Sequence, residues 1–383
     1  MTPVEVSELE QRLDETLPLV AKRAAKANDD RRPSSDVITA MADRGLLRLI
    51  VPRGYGGLEV HPRTFLELVE RLARVDGSTA WTVMTLNEEA GIASAYLDPG
   101  SVAELFTGEP TTSVAGSGVP RGRAEQVEGG WLVTGRWDFV SGCTAADRVV
   151  LASLVVGAAP AQLCFVLVPT DEVTIDDTWR TAGLRGTGSN DVVLDRHFVP
   201  DRWAGVIESF GRPRPDTPFY RLPSGLRFPF PKVGVAAGIA RAALGEFTAL
   251  AEGKRPLFNK GSLRERPSAQ VAFAEAEARH SAGLAWVHEM LDELWLVAEA
   301  GRPIPEALHA RCRLACSHAV GASIDAIELL CREAGSTANF ASSPLPTLLA
   351  DARAVAGHFM VAPFQVTTAG RILLGLESGD PHF

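Results

Sequence analysis

The stretch Gly129–Gly142, GGWLVTGRWDFVSG, gathers residue types that could hold a flat conjugated molecule. Gly129-Gly130 marks a tight turn, because only glycine enters positive φ without steric cost. Trp131-Leu132-Val133-Thr134 has the period-two pattern of a half-buried strand, and Gly135 interrupts it where backbone or ligand can come close. Trp137, Phe139 and Ser141 then fall on one face of a regular strand. Two rings and a hydroxyl would form a wall and a hydrogen-bonding group for a planar cofactor. A sandwich strand whose aromatics fill the core has the same pattern.

Other reactive residue types are scattered. The five cysteines, at 143, 164, 312, 316 and 331, form no paired framework, which fits a reducing compartment. His309, Cys312 and Cys316 could share a helix face, but a structural zinc wants four ligands and no fourth stands nearby, so no metal is expected. Gly186-Thr187-Gly188-Ser189 lacks the spacing and the βαβ setting of a dinucleotide fingerprint, and there is no Walker A motif. Glu88 and Glu89 read as a solvated helix face. His358 carries an imidazole that titrates near neutrality; a helix histidine satisfied in the core or at an interface is the plain alternative.

The elements that must position these residues follow from periodicity. The chain has 383 residues, 46% apolar and 22% charged, enough for two or three domains of an ordinary globular protein. The net charge of −9 argues against a nucleic-acid partner. No uninterrupted apolar run reaches the roughly 18 residues of a membrane span, and the acidic N-terminus is unlike a signal peptide. A cytoplasmic protein without a membrane partner is expected. Residues 1–110 read as helical, with apolar spacing over Val4–Ala27, an N-cap at Ser34-Ser35 and a stop at Gly45. Residues 111–215 switch to short β-rich runs between turns, the pattern of an antiparallel sandwich or barrel. Residues 216–230 read as a connector. Val233–Ala251, Ala269–Glu299, Pro305–Ala334 and Leu345–Leu374 are four long apolar-periodic stretches that imply an up-and-down bundle.

This order resembles, over essentially the whole chain, the acyl-CoA dehydrogenase fold and its flavin-dependent monooxygenase branch. The shared features are Pro52-Arg53-Gly54-Tyr55-Gly56-Gly57, the Ser78-x-x-Trp81 region, Phe139 followed after one intervening residue by Ser141, and Gly183–Asp191 followed by Val199-Pro200. The resemblance implies an α+β protein: an N-terminal helical domain (1–110), a central antiparallel β-sandwich or barrel (111–215) and a C-terminal four-helix bundle (216–383). It also implies flavin contacts at Phe139 and at Ser141, beside the reactive N5, with further contacts at Ser117 and Trp137. Gln270 and Gly335 would reach the flavin of a neighbouring subunit in a homotetramer or homodimer.

Two chemistries share that fold. A dehydrogenase needs a carboxylate base. Aligned on Asp351-Ala352, the chain has Phe359 where one such base would stand, and Leu226–Val235, where the other would stand, holds no acid. His358 matches the position where the monooxygenase branch commonly carries histidine, and Asn87 falls where several members carry a second one. An amide can orient but not transfer protons near neutral pH. The resemblance thus implies an oxygenase component that takes reduced FMN or FAD from a separate flavin reductase. It would react with O2 through a C4a-hydroperoxyflavin and oxygenate a small-molecule substrate: a small aromatic, a polyketide-like ring or an amino sugar, as in secondary metabolism. A dehydrogenase with a relocated base and a non-catalytic flavin-binding or assembly subunit are the two other readings.

Overall fold

Helices open the chain where apolar residues recur three and four apart. In the computed structural model, which describes residues 3–108, 112–208, 213–257 and 261–379, these are α1 (Pro3–Asp14), α2 (Leu17–Asp30), α3 (Ser35–Asp43), α4 (Pro62–Ala73), α5 (Gly77–Tyr96) and α6 (Pro99–Phe106). The expected run over Val4–Ala27 is two helices, because Pro18 in the first turn of α2 cannot continue a preceding helix. Contacts divide the chain into two units. One comprises Met1–His61, Trp81–Thr181 and Arg185–Arg221; the other comprises Pro62–Ala80, Ala182–Leu184 and Leu222–Phe383.

The first unit contains one seven-stranded sheet. Its strands are β1 (Val114–Val127), β2 (Gly130–Val140), β3 (Arg148–Val155), β4 (Gln162–Pro169), β5 (Thr174–Asp176), β6 (Asn190–Pro200) and β7 (Ala204–Glu208), in the order β5-β6-β2-β1-β3-β4-β7. β1 and β2 form the hairpin expected at Gly129, whose φ is +77°. The sheet is mixed. After β2 the chain crosses to the far side of β1, so β3 runs antiparallel to β2 but lies beside β1, and β1 with β3 pairs in parallel. The other ladders are antiparallel.

The connector after the sheet holds two short helical turns, α7 (Pro218–Arg221) and α8 (Ser224–Arg227). Three long helices follow, α9 (Pro229–Gly253), α10 (Pro267–Glu299) and α11 (Glu306–Ala334). The expected fourth is broken into α12 (Leu345–Ala356) and α13 (Phe364–Leu373), since Gly357 and Pro363 bracket a segment that neither helix can extend through. In the second unit α9 packs on α4 so closely that a Cβ at Gly238 would stand 2.2 Å from the Glu70 carbonyl oxygen. Glycine there is a condition of the helix crossing.

Two helical segments, Ser224–Gly253 and Glu306–Asn339, are long and apolar enough to cross a membrane by length and composition, which a search for uninterrupted apolar runs misses. Of their most apolar windows, 61% and 56% is buried inside the protein, as in core helices.

In the sheet, Trp137 is fully buried against a floor of glycine and small residues. A Cβ at Gly122 would lie 2.2 Å from Trp137 Cζ2 and 2.4 Å from Ser153 Oγ. Gly122→Ala is therefore an overpacking substitution, expected to destabilise the protein by about 1–3 kcal/mol; chemical denaturation of the variant beside the parent measures it.

Candidate active site

The end of β2 is irregular, and that irregularity decides which side chains are presented. The pairing of β2 with β6 shifts register between Trp137 and Val140, and Phe139 has φ +61°, a left-handed value that a non-glycine residue seldom adopts. The regular-strand expectation that Trp137, Phe139 and Ser141 share a face does not hold. Trp137 points into the core, its indole Nε1–H donating to the Ala152 carbonyl at 2.6 Å. That buried placement corrects its expected part in a ligand wall. Phe139 is turned outward, 67% exposed, with its ring edge-on to Trp179 at a centroid distance of 6.1 Å. An aromatic held so exposed on a strained backbone is a common mark of a functional surface.

Ser141 sits just past the strand and is nearly enclosed. Its hydroxyl accepts from Trp81 Nε1–H at 3.1 Å and lies 2.7 Å from Ser189 Oγ, which is 2.8 Å from Thr187 Oγ1. The Gly142 N–H donates to the Thr187 carbonyl at 2.9 Å and ties the two segments together. Burial pushes the neighbouring Cys143 thiol up to about 12, so it stays protonated. Ser117 is buried in β1, paired with Leu151 and next to a register shift.

Asn87, expected to face substrate, is a structural bridge. It has no exposed surface. Its Oδ1 accepts the Leu49 N–H at 2.8 Å, and its Nδ2 donates to the Leu46 and Val83 carbonyls, each at 2.9 Å. The amide thus ties α5 to the segment after α3. Glu88 and Glu89 are not a solvated face either: Glu88 is buried and Glu89 half-buried, because α5 is enclosed on more than one side.

In the second unit, His358 lies in the break between α12 and α13, not on a helix. Its ring stacks on Phe359 at 4.9 Å, and its Nδ1 accepts the Met360 N–H at 3.3 Å. A neutral imidazole with Nδ1 accepting carries its proton on Nε2. Burial, and then the charges of Lys232 and Arg313, hold its pKa well below the usual imidazole range. Both cations are buried. Asp351 is also buried; its Oδ1 accepts the Leu184 N–H at 2.6 Å. Burial and nearby Asp76 push its pKa up to about 7. Gln270 is exposed in the first turn of α10, its Nε2 donating to the Arg264 carbonyl. Gly335 is exposed at the end of α11 with φ +56°, where Lys254 Nζ donates to the Ala334 carbonyl and to Thr337 Oγ1. Cys312 and Cys316 are buried on α11 and His309 is half-buried; burial drives His309 down to about 4 and Cys312 up to about 12.

Sequence reasoning missed Ser189 and Thr187 as partners of Ser141, and Lys232 and Arg313 as the cations acting on His358. The first pair lay in a Gly-Thr-Gly-Ser phrase weighed only as a nucleotide motif. The second lay in apolar helices where a lone Lys or Arg gives no periodic signal.

Comparison with known proteins agrees with this architecture. Residues 10–101 match the acyl-CoA dehydrogenase N-terminal domain, and residues 232–363 match the acyl-CoA dehydrogenase C-terminal domain. The chain is 33% identical to an indole-3-acetate monooxygenase from Pseudomonas putida, over 93% of this chain and 90% of that protein. It is 32% identical to the flavin-dependent monooxygenase oxygenase subunit HsaA of Mycobacterium tuberculosis, over 96% of this chain and 95% of that protein. The structure of XiaF from a Streptomyces species, in complex with FADH2 and glycerol, superposes with a TM-score of 0.89 at 25% identity, covering 98% of this chain and 97% of that one. Helices, a mixed sheet and further helices in this order define the acyl-CoA dehydrogenase class of fold. The chain belongs to the acyl-CoA dehydrogenase family and is a flavin-dependent oxidoreductase of its monooxygenase group.

The residues present suit a flavin. Phe139 offers exposed aromatic surface, with the half-buried Trp179 edge-on beside it. Ser141 uses two of a hydroxyl's three hydrogen-bonding positions among the described residues, which leaves one for a ring nitrogen.

Two outcomes follow from the buried polar groups. Asn87→Ala strands the Leu49 N–H and the Leu46 carbonyl, each worth about 1–3 kcal/mol when buried without a partner. A large drop in melting temperature is therefore expected, and calorimetry would show it. Asp351 holds a proton in the folded state that the unfolded chain releases above its ordinary pKa of 3.8. Its contribution is full below that value and is lost as pH rises to about 7. Asp351→Asn should flatten that part of the stability profile, read from urea midpoints across the same pH range.

Proposed function

We propose that this protein is the oxygenase component of a two-component system, taking reduced FMN or FAD from a separate reductase and inserting one atom of O2 into a small aromatic substrate. The observation that carries this reading is the exposed, left-handed Phe139 beside the enclosed Ser141, on a scaffold shared with indole-3-acetate monooxygenase and the HsaA oxygenase subunit. Bound flavin supplies the activation of O2. Phe139 would line the ring, Ser141 would bond its N5, and Ser117 would lie along the same segment. Trp137 supports them from beneath.

His358 would act on the substrate. Its depressed pKa leaves it uncharged through the neutral range, and because Nδ1 accepts from Met360 its proton sits on Nε2. To serve as a base it would take the other tautomer, with its proton on Nδ1, and give up the bond from Met360. The residue ranges 1–110, 111–215 and 216–383 would act as three domains of a cytoplasmic homotetramer or homodimer. Exposed Leu296, Phe340, Phe364 and Leu374 supply apolar surface for association, and Gln270 and Gly335 would meet a neighbour's flavin.

The test supplies chemically reduced FMN or FAD anaerobically with indole-type and phenolic candidates, then admits O2. Oxygenated product in place of hydrogen peroxide supports the reading; peroxide alone with every candidate, or no flavin binding, counts against it. His358→Ala should lower product formation about 10²–10⁴-fold, as for a lost acid/base group, with flavin affinity unchanged. Because folding lowers the pKa of His358, the parent rate should stay flat from about pH 6.5 upward, where unshifted imidazole is neutral. An inflection near that value, absent in His358→Ala, would contradict the assignment.

A further inference from the structure

Trp81, Ser141, Ser189 and Thr187 form a buried row headed by an indole N–H. Ser141, Ser189 and Thr187 are 7%, 4% and 0% exposed. An indole N–H can only donate, so one lone pair of Ser141 is always taken. What remains is one proton and one lone pair, to be shared between Ser189 and a ligand atom. A ligand atom that donates obliges Ser141 to pass its proton to Ser189, which passes its own to Thr187. A ligand atom that accepts takes the Ser141 proton, and Ser189 then donates to Ser141. Each arrangement gives Ser141 three partners, with Trp81 and Ser189 at the distances observed.

Flavin N5 changes in this sense between redox states, carrying a hydrogen when reduced and only a lone pair when oxidised. We infer that Ser189 is a positioning residue that lets Ser141 accept a hydrogen bond from the N5–H of reduced flavin, so that the hydroxyl row, with Trp81 as its fixed donor, accommodates the reduced cofactor as fully as the oxidised one. The inference rests on the reading of Ser141 as the N5 partner. Without Ser189, a Ser141 that meets N5–H is left with a buried proton and no acceptor for it. A Ser141 that meets oxidised N5 lacks only one incoming bond, which is the smaller loss. Loss of Trp81 Nε1–H removes a bond common to both states.

Anaerobic titration of the flavin-free protein with reduced and oxidised FMN, and separately FAD, gives the ratio of the two dissociation constants. Ser189→Ala should weaken reduced-flavin binding relative to oxidised by about two- to tenfold, the range of one net hydrogen bond. Ser189→Thr should restore the ratio. Trp81→Phe should weaken both forms together and leave the ratio where it was. Should Ser189→Ala not fold, Ser189→Cys, of similar size and weaker as an acceptor, is read the same way. An unchanged ratio in the Ser189 variants, alongside a changed one in Ser141→Ala, overturns the row and leaves Ser141 as the N5 partner. Unchanged affinities in Ser141→Ala as well remove that partner role, and the inference with it. A ratio moved as far by Trp81→Phe as by Ser189→Ala also overturns it.

Discussion

A hydroxyl has one proton and two lone pairs, and at Ser141 that small inventory joins three parts of the first unit. The Trp81 indole comes from α5, Ser189 from the turn before β6, and Ser141 itself from the end of β2. In a buried setting each position must be matched, because a polar group without a partner costs more than a made bond gains. The Gly142–Thr187 backbone bond reinforces the same junction. The displaced register of β2 and the left-handed Phe139 are consistent with this tie: the strand is drawn off its regular path toward a fixed polar corner.

The second unit solves a different problem, that of burying charge in helices chosen for apolar contact. Lys232 donates to the Phe228 carbonyl one turn earlier, and Arg313 donates to the Gly225 carbonyl, so backbone oxygens take up part of each charge. Burial, with the remaining field of these cations added to it, keeps His358 neutral. Asp351 shows the opposite case, a carboxyl whose burial and acidic neighbour favour the proton. Elements shaped by packing thereby set protonation states on both sides of neutrality.

Much of this was legible in the sequence, and the exceptions have physical reasons. Periodicity located α9, α10 and α11 and the hairpin at Gly129, since those features repeat locally. The break of the fourth helix was marked by Gly357 and Pro363, yet apolar spacing on both sides masked it. The parallel pairing of β1 with β3 depends on where the chain goes after β2, which no local pattern records. At the candidate site, Phe139 and Ser141 stood out by type and spacing. Their facing did not follow, because a single bulge reverses the alternation on which facing is judged. Asn87 was misread for a related reason: an amide on a helix looks the same in sequence whether it meets a ligand or three backbone groups.

The break that carries His358 also bears on how such a scaffold can diversify. One residue added within an α-helix turns everything beyond it by about 100°, which scrambles a packed face. Added between Gly357 and Pro363, the same residue leaves the faces of α12 and α13 in phase and alters only the short segment between them. The length of that segment is thus free of helical phase, although Val361 and Ala362 within it remain buried. A lineage could lengthen the chain there without first re-evolving a stable bundle.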